Sequence, residues 1–101
     1  MNYNKIPPTV RDAIDRHVRD GTETGHFVEA CLMNDLVRAF RRGDPESLAA
    51  LSEIARYIWW EIPEPSWGSR EKGETWRRAR EADRALALVS LGPEHPPLKA
   101  V

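Results

Sequence analysis

The chain has 101 residues, of which 41% are hydrophobic and 31% charged, and its formal net charge is −1. This length suits one domain with a single modest core, and the composition is that of a globular protein rather than a disordered one. A nearly neutral chain offers no global electrostatic argument for binding nucleic acid or anionic membranes. Its single cysteine, Cys31, excludes an internal disulfide and every multi-cysteine metal motif.

The hydropathy of the chain gives no sign of a membrane protein. No apolar run approaches the roughly 18 residues that a membrane-spanning helix needs. The first eight residues, Met1 to Pro8, lack the apolar stretch of a signal peptide. We therefore expect a soluble cytoplasmic protein that makes no membrane contact.

Proline, glycine and capping residues divide the chain into helical segments. Asp44 followed by Pro45 supplies an N-cap and a proline at the first helical position, and Ser69 is a second candidate N-cap. Pro63 blocks continuation of the helix that precedes it. With Thr24 as a further N-cap and glycines as stops, the predicted helices cover residues 9–20, 25–42, 45–61 and 70–89.

The predicted fold class is all-α. No alternating run is long enough for a strand, and the four predicted helices have short connections. We expect a compact, four-helix-bundle-like single domain over residues 1–101, with a proline-rich tail over residues 90–101.

Apolar spacing indicates which helix faces are buried. The second predicted helix is apolar around most of its circumference, which is typical of a buried helix. The expected core stripe of the third helix is Leu48, Leu51, Ile54, Ala55, Ile58, Trp59 and Ile62. The fourth helix carries Trp76, Ala79, Ala82, Leu86 and Val89 on one side.

Two polar residues, Asn34 and Asp35, lie at the centre of the second predicted helix. A buried carboxylate needs a partner, so we expect both side chains to bond the backbone of the turn at Trp67-Gly68-Ser69 or to pair with an arginine. A catalytic acid or a metal ligand is the alternative, but no second acid or histidine lies three or four residues away. If both side chains face water instead, Asn34 and Asp35 become candidate binding residues.

Several motifs follow one another in an order that suggests a family. They are Gly21-Thr22-Glu23-Thr24-Gly25-His26-Phe27, Ala30-Cys31-Leu32-Met33-Asn34-Asp35-Leu36, Ala39, Asp44, Pro65-Ser66-Trp67-Gly68-Ser69 and Trp76. In this order the chain resembles a group of small uncharacterised proteins encoded by bacteriophages and prophages, over roughly residues 6–77. It departs from their pattern at Trp59-Trp60. The resemblance implies a phage setting and supplies no catalytic residue.

Residues suited to catalysis or metal binding are scattered. The three histidines, His17, His26 and His95, lie in different segments with no pair at helical spacing, so we expect no metal site. No serine lies in a nucleophile elbow, and the glycines form no phosphate-binding loop. We therefore expect neither an enzyme nor a small-molecule cofactor.

Surplus aromatic residues point to a protein partner. Tyr57 and Trp60 lie off the core stripe of the third helix by about 120° or more at 100° per residue. They either pack under the connector at Pro63–Trp67 or are exposed contacts for a partner, which could be a host factor, including one of host defence, or a second copy. Trp67 is expected to fill the core.

An arginine face on the fourth helix supports an alternative function. Arg70, Arg77 and Arg84 recur every seven residues, with Arg80 close to the same face. Such a face can bind phosphate, as a small nucleic-acid-binding regulator would. Glutamates at helical spacing border these arginines, which favours a solvated, salt-bridged face instead.

Overall fold

A computed structural model describes residues 3–90, with side chains as far as Leu88. Every regular element in this part of the chain is helical, as predicted. A short 3₁₀ helix covers Glu64–Ser66, and the α-helices are α1 (Pro8–Asp20), α2 (His26–Leu32), α3 (Leu36–Arg42), α4 (Pro45–Ala49), α5 (Leu51–Glu61) and α6 (Arg70–Ser90). The predicted tail over residues 90–101 lies outside the described residues, except for Ser90, the last residue of α6.

Two of the helix starts that local chemistry predicts, at Asp44 and at Ser69, are confirmed, whereas the predicted N-cap Thr24 is wrong, because Gly25 precedes α2 and no side chain caps this helix. The Asp44 carboxylate accepts a hydrogen bond from the Ser47 N–H at 2.7 Å, and Pro45 occupies the first helical position of α4. The Ser69 hydroxyl accepts the Lys72 N–H at 3.1 Å. In both places a side chain bonds a backbone donor that the first turn leaves without a helical partner.

The second predicted helix, over residues 25–42, is wrong as one continuous element. It breaks between α2 and α3, where Asn34 has a left-handed backbone with φ of 63°. The Asp35 carboxylate then accepts the Arg38 N–H at 3.2 Å and caps α3. Asn tolerates the left-handed region and Asp is a favoured N-cap, so these two residues end one helix and begin the next.

The third predicted helix, over residues 45–61, is also divided. Ala50, with φ of −99° and ψ of 10°, separates α4 from α5 and bonds its N–H to the Ser47 carbonyl at 3.1 Å. This bond spans three residues and gives α4 a 3₁₀-type end. The described chain therefore holds six α-helices, and the expected four-helix arrangement is corrected.

The core lies between α1, α2 and α5. The buried cluster of this core consists of Tyr3, Ile6, Val10, Ala13, Ile14, Val28, Leu32, Ala50, Ile54, Tyr57, Ile58 and Ile62. The first half of α6 closes one end of it, because the Trp76 indole N–H donates to the carbonyls of Val18 (3.0 Å) and His17 (3.2 Å). These bonds tie α6 to the last turn of α1.

The second half of α6 extends away from this core. Every residue from Glu81 to Leu88 is exposed, and so is Ala79. The expectation that Ala79, Ala82 and Leu86 pack inward is therefore wrong. The described part of the chain measures 53 × 27 × 21 Å along its principal axes. Only the first half of α6 contributes to the folded globule.

Candidate functional site

Tyr57 belongs to the core and not to a partner-binding surface. Its side chain is only 6% exposed, and its ring meets that of Tyr3 edge-on at 5.0 Å between centroids. The Tyr57 hydroxyl donates to the Asp15 carboxylate, and the Arg11 guanidinium lies 4.9 Å from the ring centroid. Burial, followed by the bond to Asp15, raises the pKa of Tyr57. The proposed contact role for Tyr57 is corrected, because α5 turns this side toward α1.

Two adjacent tryptophans of α5 are exposed. Trp59 is 64% exposed and Trp60 is 62% exposed. Exposure of Trp60 agrees with the predicted contact role, whereas the placement of Trp59 in the core stripe is wrong. Trp59 packs edge-on against Trp67 at 5.8 Å between centroids, and the Trp67 indole N–H donates to the Ile62 carbonyl at 3.2 Å. Trp67 is partly buried and packs against the core, close to the expectation.

The predicted bonds from Asn34 and Asp35 to the turn at Trp67-Gly68-Ser69 are not formed. Both residues are exposed, and the Asp35 carboxylate is occupied in capping its own helix. The turn does join the end of α2, but through the backbone: the Gly68 N–H donates to the Leu32 carbonyl at 2.7 Å. The break in the helix provides this free carbonyl, which sequence reasoning on a continuous helix could not foresee.

Asn34 and Asp35 instead line an apolar groove between α3 and α5. This α3–α5 groove has a volume of about 110 Å³, and Asp35 is its single charged lining residue. The lining residues are Ala30, Cys31, Asn34, Asp35, Leu36, Ala39, Leu51, Ile54, Ala55 and Ile58. Their chemistry suits an apolar side chain from outside, with one carboxylate at the margin to fix orientation.

Large apolar side chains extend this groove on both sides. On α3, Leu36 is 61% exposed, and Val37 and Phe40 are exposed as well. On α5, Trp59 follows the groove residue Ala55 by four positions and so lies on the same side of the helix. The expectation of a fully buried second helix is thus wrong for its α3 part. Exposed apolar surface of this extent is typical of a site that binds another molecule.

Burial weakens the acidity of the Cys31 thiol, which lines the groove. The side chain is partly buried, and burial raises its pKa to about 11. A thiol with this pKa is almost fully protonated at neutral pH, and the thiolate is the nucleophilic form. Cys31 therefore contributes apolar surface to the groove.

The predicted arginine face of α6 is largely engaged within the chain. The Arg77 guanidinium donates to the Gly21 carbonyl at 3.4 Å and lies 3.7 Å from the Glu23 carboxylate. Arg80 lies over the Trp76 ring at 4.9 Å and pairs with Asp83 at 2.9 Å.

The two remaining arginines of this face differ in their ion pairs. Arg70 lies 3.8 Å from the Glu74 carboxylate, while Arg84 makes no ion pair with any residue of the described chain. A face in which three of four cations already have partners is a weak electrostatic footprint for nucleic acid. Nucleic-acid binding stays a prediction that gel retardation at low and moderate salt would test.

A second, more polar cavity lies between α1, α2 and α6. It has a volume of about 130 Å³ and includes His17, Glu29 and Arg77 in its lining. His17 Nε2 lies 3.0 Å from the Ser66 carbonyl, which can only accept, so this nitrogen carries the proton. Glu29 is paired with Arg38 at 3.1 Å. Each of these side chains is thus engaged with a different part of the chain, and the buried His17 Nδ1 has no hydrogen-bond partner among the described residues.

The described residues offer no arrangement for metal chemistry. Within residues 3–90 no three His, Cys, Asp or Glu side chains are placed to hold a metal ion together. In the same part of the chain, no helix combines the length and apolar character needed to cross a membrane. The α3–α5 groove with its flanking residues is the candidate site.

Comparison of the chain with protein-family models, with curated proteins and with solved structures finds no match. The resemblance to phage-encoded proteins therefore stays a prediction.

Proposed function

We propose that this chain is a small protein-binding module whose α3–α5 groove receives an apolar helix of a protein partner. The observation that carries the proposal is the groove itself, apolar along its length and lined by exposed Leu36, with exposed Trp59 one helical turn beyond the lining residue Ala55. Helix-in-groove binding uses apolar side chains at helical spacing, which a narrow groove between two helices accommodates. The resemblance to phage proteins supports the cytoplasm of a host cell as the setting, with a host protein or a second copy as the partner.

The exposed residues are large enough to supply the binding energy. A tryptophan buries roughly 150–250 Å² when fully covered, and apolar burial contributes about 25 cal/mol per Å². Covering the exposed part of Trp59 therefore contributes about 2–4 kcal/mol, and Leu36 adds to this. Aromatic residues surrounded by apolar contacts are the usual centres of binding energy in protein interfaces. Trp60 lies about 100° around α5 from Trp59, so a partner in the groove contacts it less.

A matched pair of variants on α3 tests the groove. Leu36→Lys places a charge in the groove, whereas Val37→Lys places the same charge on the same exposed helix outside the groove lining. We expect Val37→Lys to retain a partner in pull-downs from host lysate and Leu36→Lys to lose it, with unchanged helical circular dichroism in both.

The tryptophans provide a second comparison. Trp59→Ala should weaken partner retention more than Trp60→Ala, because Trp59 lies on the same side of α5 as the groove residue Ala55. If Leu36→Lys and Trp59→Ala both retain every specific partner of the wild type, the groove is not the binding site.

A further inference from the structure

The exposed half of α6 is a helical segment that does not pack against the rest of the described chain. Residues Glu81 to Leu88 are exposed on every side, and they include Leu86 (68% exposed) and Leu88 (72% exposed). A helical segment this short is marginal in water unless an apolar face is packed against something. Five of these eight residues are alanine or leucine. The segment therefore has the composition of a helix that is covered in its working state.

Three of its five apolar residues share one side of α6 with Arg78, which precedes the segment. Positions 78, 82, 85 and 86 are spaced by four, seven and eight residues and so lie on the same side of a helix. They are Arg78, Ala82, Ala85 and Leu86. We call this side the α6 docking face. Leu88 lies about 200° around the helix from Leu86, and Asp83 and Arg84 also lie outside the face. Glu81 lies about 40° from Ala85, at the edge of the face.

The α6 docking face matches the α3–α5 groove in shape and in charge. Two alanines allow a close approach of helix backbones, and one leucine is suited to a groove of about 110 Å³. The groove carries one charge, the negative Asp35, and the docking face carries one charge, the positive Arg78. The Arg78 side chain is 74% exposed, and its guanidinium lies 3.9 Å from the carboxylate of Glu74, its ion-pair partner within the chain. A long, exposed ion pair contributes little stability, so Arg78 can exchange Glu74 for another carboxylate.

We propose that the chain forms a two-fold homodimer in which the α6 docking face of each copy lies in the α3–α5 groove of the other. This inference rests on the proposed function, because it names the partner helix for the same groove. A two-fold arrangement uses each groove and each helix once, so both unpartnered surfaces are covered together. Arg78 of one copy pairs with Asp35 of the other, and Leu86 enters the groove.

The mass of the full chain in solution tests the proposal directly. Sedimentation velocity from low to high micromolar concentration should show a species of twice the 11.5 kDa chain mass. Leu86→Glu should give the monomer, whereas the matched control Leu88→Glu, on the same exposed helix, should remain a dimer. A wild-type monomer at every concentration would overturn the proposal, and so would equal behaviour of the two variants.

Mixing two variants that cannot dimerise alone tests whether α6 of one copy docks in the groove of the other. Leu86→Glu keeps an intact groove and Leu36→Lys keeps an intact docking face, so each alone should be monomeric. An equimolar mixture should form a heterodimer through the one remaining functional contact. If both variants are monomeric and the mixture stays monomeric, α6 does not dock in the groove of the partner copy.

A double-mutant cycle tests the charge pair. Asp35→Asn retains a residue able to cap α3, and Arg78→Gln removes the opposite charge. Each single variant should raise the Kd of the dimer about two- to fivefold. The double variant should raise the Kd by the same factor as one single variant, and not by the product of the two factors. Independent, multiplying effects would refute the pairing of Arg78 with Asp35.

The two proposals fail in different ways. If the wild type is monomeric but Leu36→Lys still loses a host partner, the homodimer is refuted and the groove is retained as a binding site. A dimer that Leu36→Lys leaves intact refutes the groove as the site of dimerisation.

Discussion

The most demanding prediction concerns Gly21, which ends α1 where α6 crosses it. Gly21 has a left-handed backbone with φ of 71° and ψ of 25°. A Cβ added there would lie 2.8 Å from the carbonyl oxygen of Arg77 and 2.7 Å from the Cβ of Arg80. Because the Arg77 oxygen belongs to the backbone of α6, no side-chain rotation can make room. Gly21→Ala must therefore push α6 away from α1.

The loss of folding stability that we expect from Gly21→Ala has two parts. A non-glycine residue in the left-handed region costs roughly 1–2 kcal/mol. Forcing a methyl group into a packed helix contact costs about 1–3 kcal/mol more. The sum, about 2–5 kcal/mol, is a large share of the roughly 5–15 kcal/mol that stabilises a small domain. At about 4–8 °C per kcal/mol, Tm should fall by roughly 10 °C or more.

Position 34 provides the matched control for the backbone part of this cost. Asn34 has a similar φ of 63°, but its side chain is exposed. The difference in free energy of unfolding between Asn34→Ala and Asn34→Gly therefore measures the left-handed strain without a clash. Urea unfolding followed by circular dichroism measures all three variants. If Gly21→Ala costs no more than that difference, α6 does not pack against the end of α1 as described.

Three further predictions concern buried polar groups. Burial lowers the pKa of His17 below its ordinary 6.5, so the unfolded chain binds a proton more readily than the folded chain. The free energy of unfolding, measured in urea, should therefore fall as the pH drops below about 6.5. His17→Gln should flatten this pH dependence. Trp76→Phe removes the indole N–H that donates to the Val18 carbonyl and should lower the free energy of unfolding by about 1–3 kcal/mol. Trp76→Tyr should not restore this stability. The Cys31 thiol, with its pKa raised to about 11, should react with a disulfide reagent at pH 8 much more slowly in the native chain than in urea; equal rates would contradict its burial.

Local chemistry in the sequence was sufficient to predict several helix boundaries. Asp44, Pro45 and Ser69 act through their nearest backbone neighbours, so their roles do not depend on the rest of the fold. The break at Asn34-Asp35 also had a local signal, since an Asn able to adopt positive φ precedes a favoured N-cap residue. Apolar periodicity hid that signal because it continues through the break. The break at Ala50 has no comparable signal.

Which side of an amphipathic helix faces the core was harder to predict. On α5, Tyr57 and Trp59 lie on opposite edges of the apolar sector, and periodicity alone cannot decide between them. The choice depends on Tyr3 and Arg11, which contact Tyr57 from distant parts of the chain. Trp60 was correctly placed outside the core stripe, because an arc of about 140° that includes the buried Ile54 and Ile58 leaves it outside; the pattern alone leaves open whether it packs under the connector. Tertiary contacts of this kind override local pattern.

The exposed surface and the breaks in the helices have one origin. Leu32 and Leu36 are four residues apart, so a continuous helix would place both on the same face and bury them together. The left-handed turn at Asn34 redirects the chain, which leaves Leu32 in the core at 3% exposure and turns Leu36 outward at 61%. The second break, at Ala50, comes immediately before Leu51, another groove residue. Both departures from helical periodicity thus border the α3–α5 groove, and a variant that made residues 26–42 one helix would remove its Leu36 side. The residues that disrupt the helices are the ones that create the proposed binding surface.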